Sequence, residues 1–287
     1  MKILFLYNLG IGNCIQMIPL YNALEKHYGR VIDVGYLLNY GGDVKNAGIT
    51  PNPVIEPLVP QMVRGDYDYI IRPPFIQSGN GDFFAKHVDN MREQDSEFER
   101  NMRILDFLGI EREIIRTWRM KEVKTPKDYV VLHNGCAKGW EAKRYPKMEV
   151  VAYLLQKAGI QCASIGAPEE YIHGTENFTG LKLTETAYVI SKATAYLGTD
   201  TGSYHIAALM EKPGLAIFTK TDIGKCWDKD FHHNIETIQR DDLDCIPCMK
   251  GFHHMPVDCN TYSCQDIAPE LISERLMAIV EGDGNEC

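Results

Sequence analysis

Apolar residues along this chain fall in short runs separated by polar, glycine-bearing turns, and the runs are of two kinds. Continuous apolar stretches at residues 2–9, 129–132 and 195–198 read as strands covered on both faces, as in a parallel sheet. Shorter runs at 31–38, 54–58, 67–72, 161–165 and 215–218 extend the strand set, with Pro73-Pro74 and the polar 78–82 as punctuation after the third of them. Between them lie segments with helical spacing at 14–28, 93–108, 146–158, 183–192, 203–210 and 267–281. In the second of these, Phe98, Met102, Leu105 and Leu108 share a face, which is expected to dock on the N-terminal sheet. Alternation of strand, turn and helix predicts an α/β protein with two Rossmann-like lobes, each a parallel sheet with helices on both faces. The lysine-bearing, proline-broken stretch 121–128 has no periodicity and divides the chain into lobes 1–127 and 128–281, with 282–287 as a tail. No repeat occurs at solenoid periods, and the ligand site is expected beyond the carboxyl ends of the strands, between the lobes.

One passage, residues 195–221, concentrates the chemistry. A strand ends in Asp200-Thr201-Gly202, where glycine permits a sharp turn and close approach of a ligand, and Thr201 or Ser203 is placed to cap the next helix. The first amides of that helix lack intrahelical partners and carry the positive end of the dipole, so an anion such as a diphosphate suits them. His205 stands in the same first turn. An ordinary βαβ unit whose Asp and Gly only form the turn would have the same local pattern. Nearer the N-terminus, Gly10-Ile11-Gly12-Asn13 is a second turn leading into a helix, but Ile15 replaces the third glycine of a dinucleotide fingerprint.

Composition narrows the partners. With 45% apolar and 24% charged residues the chain is a globular protein with enough length for two cores. Its net charge of −9 argues against nucleic acid held by the overall field, and no apolar run is long enough to span a bilayer. Residues 1–3 lead straight into a strand without a cleavage pattern, so a cytoplasmic location is expected. Of nine cysteines, four cluster as Cys245, Cys248, Cys259 and Cys264, a C-x2-C-x10-C-x4-C spacing within an excursion at 244–265. That spacing suits a structural zinc or iron, with His253 and His254 as alternative ligands; a disulfide pair or free thiols are the other readings.

Taken in order, several segments resemble glycosyltransferase family 9, the ADP-heptose:lipopolysaccharide heptosyltransferase-like enzymes of GT-B fold. Asp200-Thr201-Gly202, His205, Ala207-Ala208, Lys212-Pro213 and Phe218-Thr219-Lys220-Thr221 are similar to the family's nucleotide-site motif. Asn134-Gly135 followed by Lys143-Arg144-Tyr145-Pro146 resembles its Pro-Gly and Lys-Arg-Trp-Pro, with Tyr145 in place of Trp. The resemblance implies an inverting glycosyltransferase that needs no metal ion for catalysis. It would move a sugar from an ADP- or UDP-sugar to a hydroxyl acceptor such as a surface glycan, a protein or a modified nucleic-acid base. It further implies donor contacts from Lys143, Asp200, Thr201, Gly202, His205, Asn134, Gly135 and Thr221, and from Glu169 or Glu170 to the ribose. Lys143 is expected as a partly exposed point charge beside the diphosphate. In part of the family a C-terminal cysteine group resembles an iron- or zinc-binding finger.

The sequence departs from the family pattern at one position. The family's N-terminal Gly-Asp, whose Asp is thought to be the general base, is here Gly12-Asn13, with Pro19 at the expected distance. An amide cannot take the proton as a carboxylate does. Asp43 and Asp82, in loops, are substitutes by position, and a sugar-nucleotide or glycan-binding protein that does no chemistry is the rival reading.

Overall fold

The computed structural model describes residues 3–7, 10–29, 32–36, 69–72, 75–78, 86–87, 95–248, 259 and 261–282. The chain divides into two compact units, Met1–Arg119 and Met120–Cys287. The expected strand at 54–58, the residues Asp43, Asp82, His253 and His254, and residues 283–287 of the tail lie outside the described residues.

In the first unit, β1 (Ile3–Tyr7) pairs in parallel with β2 (Ile32–Tyr36) on one side and β3 (Tyr69–Arg72) on the other. The sheet then turns antiparallel through β4 (Phe75–Ser78) and β5 (Lys86–His87), giving the order β2-β1-β3-β4-β5. Those two strands were not expected, because the prolines after β3 signal a loop when only local sequence is considered. α1 (Ile11–Tyr28) begins three residues before the expected start, so Gly12 and Asn13 lie in its first turn and Gly10, at φ 95°, makes the sharp bend. α2 (Glu97–Leu108) starts where the Ser96 hydroxyl accepts the Glu99 N–H at 3.0 Å, and it ends at the left-handed Gly109. Its buried face, Phe98, Met102, Ile104 and Leu105, packs chiefly on α1, although the spacing had suggested the sheet.

The second unit holds a six-stranded, all-parallel sheet with order β11-β10-β9-β6-β7-β8. Its strands are β6 (Tyr129–His133), β7 (Gln161–Gly166), β8 (Glu176–Thr179), β9 (Ala195–Thr199), β10 (Gly214–Ile217) and β11 (Ile235–Ile238). Crossovers are made by α3 (Met148–Lys157), α4 (Leu183–Lys192) and α5 (Gly202–Leu209), with a single turn, α6 (Ile223–Cys226), before β11 and α7 (Pro269–Glu281) at the end. Alternate strand residues serve opposite faces. Val130, Leu132, Ala195, Leu197, Leu215 and Ile217 meet Val151, Leu155, Ile272 and Leu276 of the packed pair α3 and α7. Each of those large aliphatic side chains contributes roughly 1.5–3 kcal/mol by leaving water. α4 and α5 pack together as a second pair, with α5 on β9.

Strand order reverses between β6 and β9, since the chain runs from β6 outward to β8 and then returns to the other side of β6. Open parallel sheets bind ligands at such a reversal, beyond the strand carboxyl ends. His133 ends β6 there, and Asp200 follows β9.

Candidate functional site

Asp200 lies at the reversal because β9 is buried along its whole length and its amide is held by the Ile217 carbonyl at 3.3 Å. Its carboxylate is nearly inaccessible, and an ion pair makes that burial tolerable. Lys143 Nζ lies 2.8 Å from Asp200 Oδ2 and donates also to the Asp200 carbonyl at 3.0 Å. Burial alone would raise the Asp200 pKa; the Lys143 charge and its hydrogen bond outweigh it and hold the carboxyl below its ordinary value. Lys143 is partly exposed, as a point charge beside a ligand would be, but it is paired inside the protein. Its side chain is 17% exposed, and its ammonium sits 5.3 Å from the Trp140 ring, which Lys220 approaches to 5.2 Å.

The short 3-10 turn Glu141–Lys143 that carries this lysine is held from three sides. Thr219, just after β10, donates to the Ala142 carbonyl at 2.9 Å. Gln265 donates to the carbonyls of Ala142 at 3.1 Å and Arg144 at 2.8 Å. Asn134 pairs its side-chain amide with the Tyr145 backbone, donating to its carbonyl and accepting its N–H, each at 2.8 Å. The Tyr145 ring, fully buried where the family has Trp, donates to the Ile267 carbonyl at 2.7 Å. Asn134 therefore shapes the Lys143 turn through the backbone.

At the mouth of α5 the residue preceding the helix is Thr201, yet neither it nor Ser203 caps the first amides. The Thr201 hydroxyl instead meets His133 Nδ1 at 3.2 Å, the Thr199 carbonyl and the Ser203 hydroxyl, which itself lies 2.8 Å from the Tyr196 phenol. The dipole end stays without a side-chain cap, which suits an anion. His205 is buried in the first turn and its pKa is pushed down to about 4, mainly by burial, so the imidazole is neutral near pH 7. Burial likewise depresses His133.

Beside this lies a cavity of about 180 Å³ lined in part by Asn134, Arg144, Glu169, Glu170 and Tyr171. Glu169 is exposed. Glu170 is engaged inside the protein: its carboxylate accepts the N–H groups of Cys136 at 3.2 Å and Ala167 at 2.9 Å, and Arg144 at 3.3 Å. Gly135 and Gly166 make room for it, because a Cβ at either would lie within 2.5 Å of a Glu170 oxygen, and Gly166 also needs φ 125°. Thr221 is buried beside Asp200. Asn13 is half-buried on α1, in the other unit.

Cys245, Cys248, Cys259 and Cys264 are free thiols. Burial and the neighbouring sulfurs raise Cys248, and the same causes push Cys264 up to about 11. The sulfurs are close enough to act on one another, but among the described residues no group of three or more His, Cys, Asp or Glu is arranged to hold a metal ion. Sequence reasoning missed His133, Gln265 and His232, a buried histidine that reaches His205 and is considered below.

Two sheet-and-helix units of this kind match the GT-B fold seen in heptosyltransferases. Residues 116–255 match the family model for Glycosyltransferase family 9 (heptosyltransferase). Among solved structures, the glycosyl transferase family 9 protein from Veillonella parvula DSM 2008 is similar over 98% of this chain and 97% of its own, at 14% identity and TM-score 0.65. E. coli ADP-heptose lps heptosyltransferase II aligns over 99% and 100%, at 15% identity and TM-score 0.60. The dodecameric iron-containing heptosyltransferase TibC of enterotoxigenic E. coli, in complex with ADP-D-beta-D-heptose, aligns over 98% of this chain and 74% of its own, at 16% identity and TM-score 0.61. No curated protein matches the sequence. Among the described residues no helix is long and apolar enough to cross a membrane.

Proposed function

We propose that the chain transfers a sugar from an ADP-sugar, heptose-like in its donor, to a hydroxyl acceptor with inversion at the anomeric carbon. The observation that carries this reading is the Lys143–Asp200 pair beside the uncapped α5. As the glycosidic bond to the diphosphate breaks, negative charge grows on the leaving group, and preorganised donors lower the barrier. Lys143, the Thr201 and Gly202 amides and His205 are those donors; Asp200 orients Lys143, and the Glu169 cavity takes the nucleoside. An ADP-sugar rather than a UDP-sugar is favoured by the ADP-heptose held by the TibC relative. Calorimetric titration with ADP, UDP and GDP tests the donor, followed by acceptor-dependent release of the chosen diphosphate. Tight binding without release under any acceptor would favour the binding-only reading, which Asn13 motivates by standing where the family has a carboxylate. Asn13→Asp separates the two: a gain in turnover marks a decayed base, and a loss marks an adapted site.

The cysteine segment is a structural element in this proposal. Four sulfur donors fit zinc or iron by their chemistry, and the TibC relative is described as iron-containing. Such an ion would hold the segment in shape. Protein purified without added metal should contain about one zinc or iron per chain.

A further inference from the structure

His232, in the loop between α6 and β11, is fully buried, and its Nε2 lies 2.9 Å from Nδ1 of His205. The backbone N–H of Asp228 donates to His232 Nδ1 at 2.9 Å. A ring nitrogen that accepts a hydrogen bond carries no proton, so His232 is neutral with its proton on Nε2. That proton is directed at His205 Nδ1, which must accept it. The proton of neutral His205 is thereby placed on its other nitrogen, Nε2. Among the described residues that Nε2 has no hydrogen-bond partner, and the His205 ring lies within electrostatic reach of Asp200 and Lys143.

The surroundings keep this arrangement in register. The His232 ring stacks on Tyr204 at 4.6 Å and 9°, and Phe231 meets it edge-on at 4.7 Å. Its backbone N–H donates to the Asp228 carbonyl at 2.7 Å, and the Asp228 carboxylate accepts the N–H of Asp230 at 2.9 Å. The turn is built around the histidine.

We infer that His232 is a positioning residue that holds His205 as its Nε2–H tautomer, presenting a neutral hydrogen-bond donor to the diphosphate beside the α5 amides. This rests on the donor-site reading above. Burial keeps His205 uncharged near neutral pH, so the group adds a donor without a second cation next to Lys143.

The test is histidine ¹⁵N NMR on the full chain, combined with ADP titration of two variants. His205 should show a proton on Nε2 and none on Nδ1, and its Nε2–H signal should move when ADP is added. His232→Phe keeps a ring against Tyr204 and removes the donor; His232→Gln restores an N–H for His205 and an acceptor for Asp228. The ADP dissociation constant should rise about tenfold in the Phe variant and stay within about twofold in the Gln variant. A proton on His205 Nδ1 in the wild-type chain overturns the inference without any variant having to fold. Equal ADP binding by the wild type and His232→Phe overturns it alone. No binding of any nucleoside diphosphate by the wild type would instead defeat the donor-site reading and take this inference with it.

Discussion

At the mouth of α5, Lys143 pairs with Asp200 and Thr201 with His133 across three chain segments, whereas in the cysteine segment Cys259 accepts the Tyr262 N–H and Cys248 and Cys264 are desolvated beside neighbouring sulfurs. The first region is preorganised: its charges are paired and buried. The second is uneven: burial and neighbouring sulfurs raise Cys248 and Cys264, while hydrogen bonds, chiefly from the Tyr262 N–H, lower Cys259. The two regions meet at Gln265, one residue after Cys264, whose amide holds the carbonyls on either side of Lys143. The first region is thus held in place by its own contacts, and under the proposed function the element beside it depends on what the thiols bind.

The sharpest way to break the comparison is Asp200→Ala, which strands the Lys143 ammonium. Stability should fall by about 3 kcal/mol, and ADP affinity by about a hundredfold. Chemical denaturation and calorimetry read the two effects. Lys143→Ala should weaken ADP at least about tenfold and also lower stability, because the buried Asp200 carboxylate loses its partner. The paired replacement Lys143→Met with Asp200→Leu should recover much of the stability while ADP binding stays lost. Recovery of binding in that double variant would remove the pair from the donor site.

Acid sharpens the contrast by a different route. Folded His205 titrates near 4 against an ordinary imidazole value of 6.5, so below the latter the unfolded chain takes up a proton that the folded chain refuses. Stability contributed by a neutral His205 is full above the ordinary value and declines as pH falls toward about 4. The Asp200 contribution, from a depressed carboxyl, is present above the ordinary carboxyl range and is lost only as pH falls through it. Thermal melts across this interval should show a shallower decline in His205→Gln.

Metal removal should act mainly on the other region. Chelation is expected to increase amide exchange at residues 259 and 261–265 and to weaken ADP by about threefold, transmitted through Gln265. A hundredfold loss would place the ion in the chemistry. Smallest of all, Gln265→Ala removes two hydrogen bonds of about 1 kcal/mol each and should reproduce that modest loss of affinity with metal present.

Much of the second unit was legible in the sequence, because buried parallel strands are continuous apolar runs and the Asp200-Thr201-Gly202 turn announces a helix mouth. The strands β8 and β11 were not: Glu176-Asn-Phe-Thr and Ile235-Glu-Thr-Ile are short edge segments whose polarity hides them from a search for apolar runs. His133, His232 and Gln265 escaped for a different reason. Their roles come from partners 68, 27 and 123 residues away, and no local spacing encodes such contacts. The lysine was found, but its ion pair was not, since an isolated Lys in a polar stretch gives no sign of the Asp 57 residues on.

The central claim is that the α5 mouth binds the diphosphate of a nucleotide donor through a preformed Lys143–Asp200 pair. Isothermal titration of ADP into the wild-type chain and Lys143→Ala tests it most directly. The account predicts one site per chain in the wild type and an affinity at least about tenfold weaker in the variant. No ADP binding by the wild type, or equal binding by the two proteins, would contradict it.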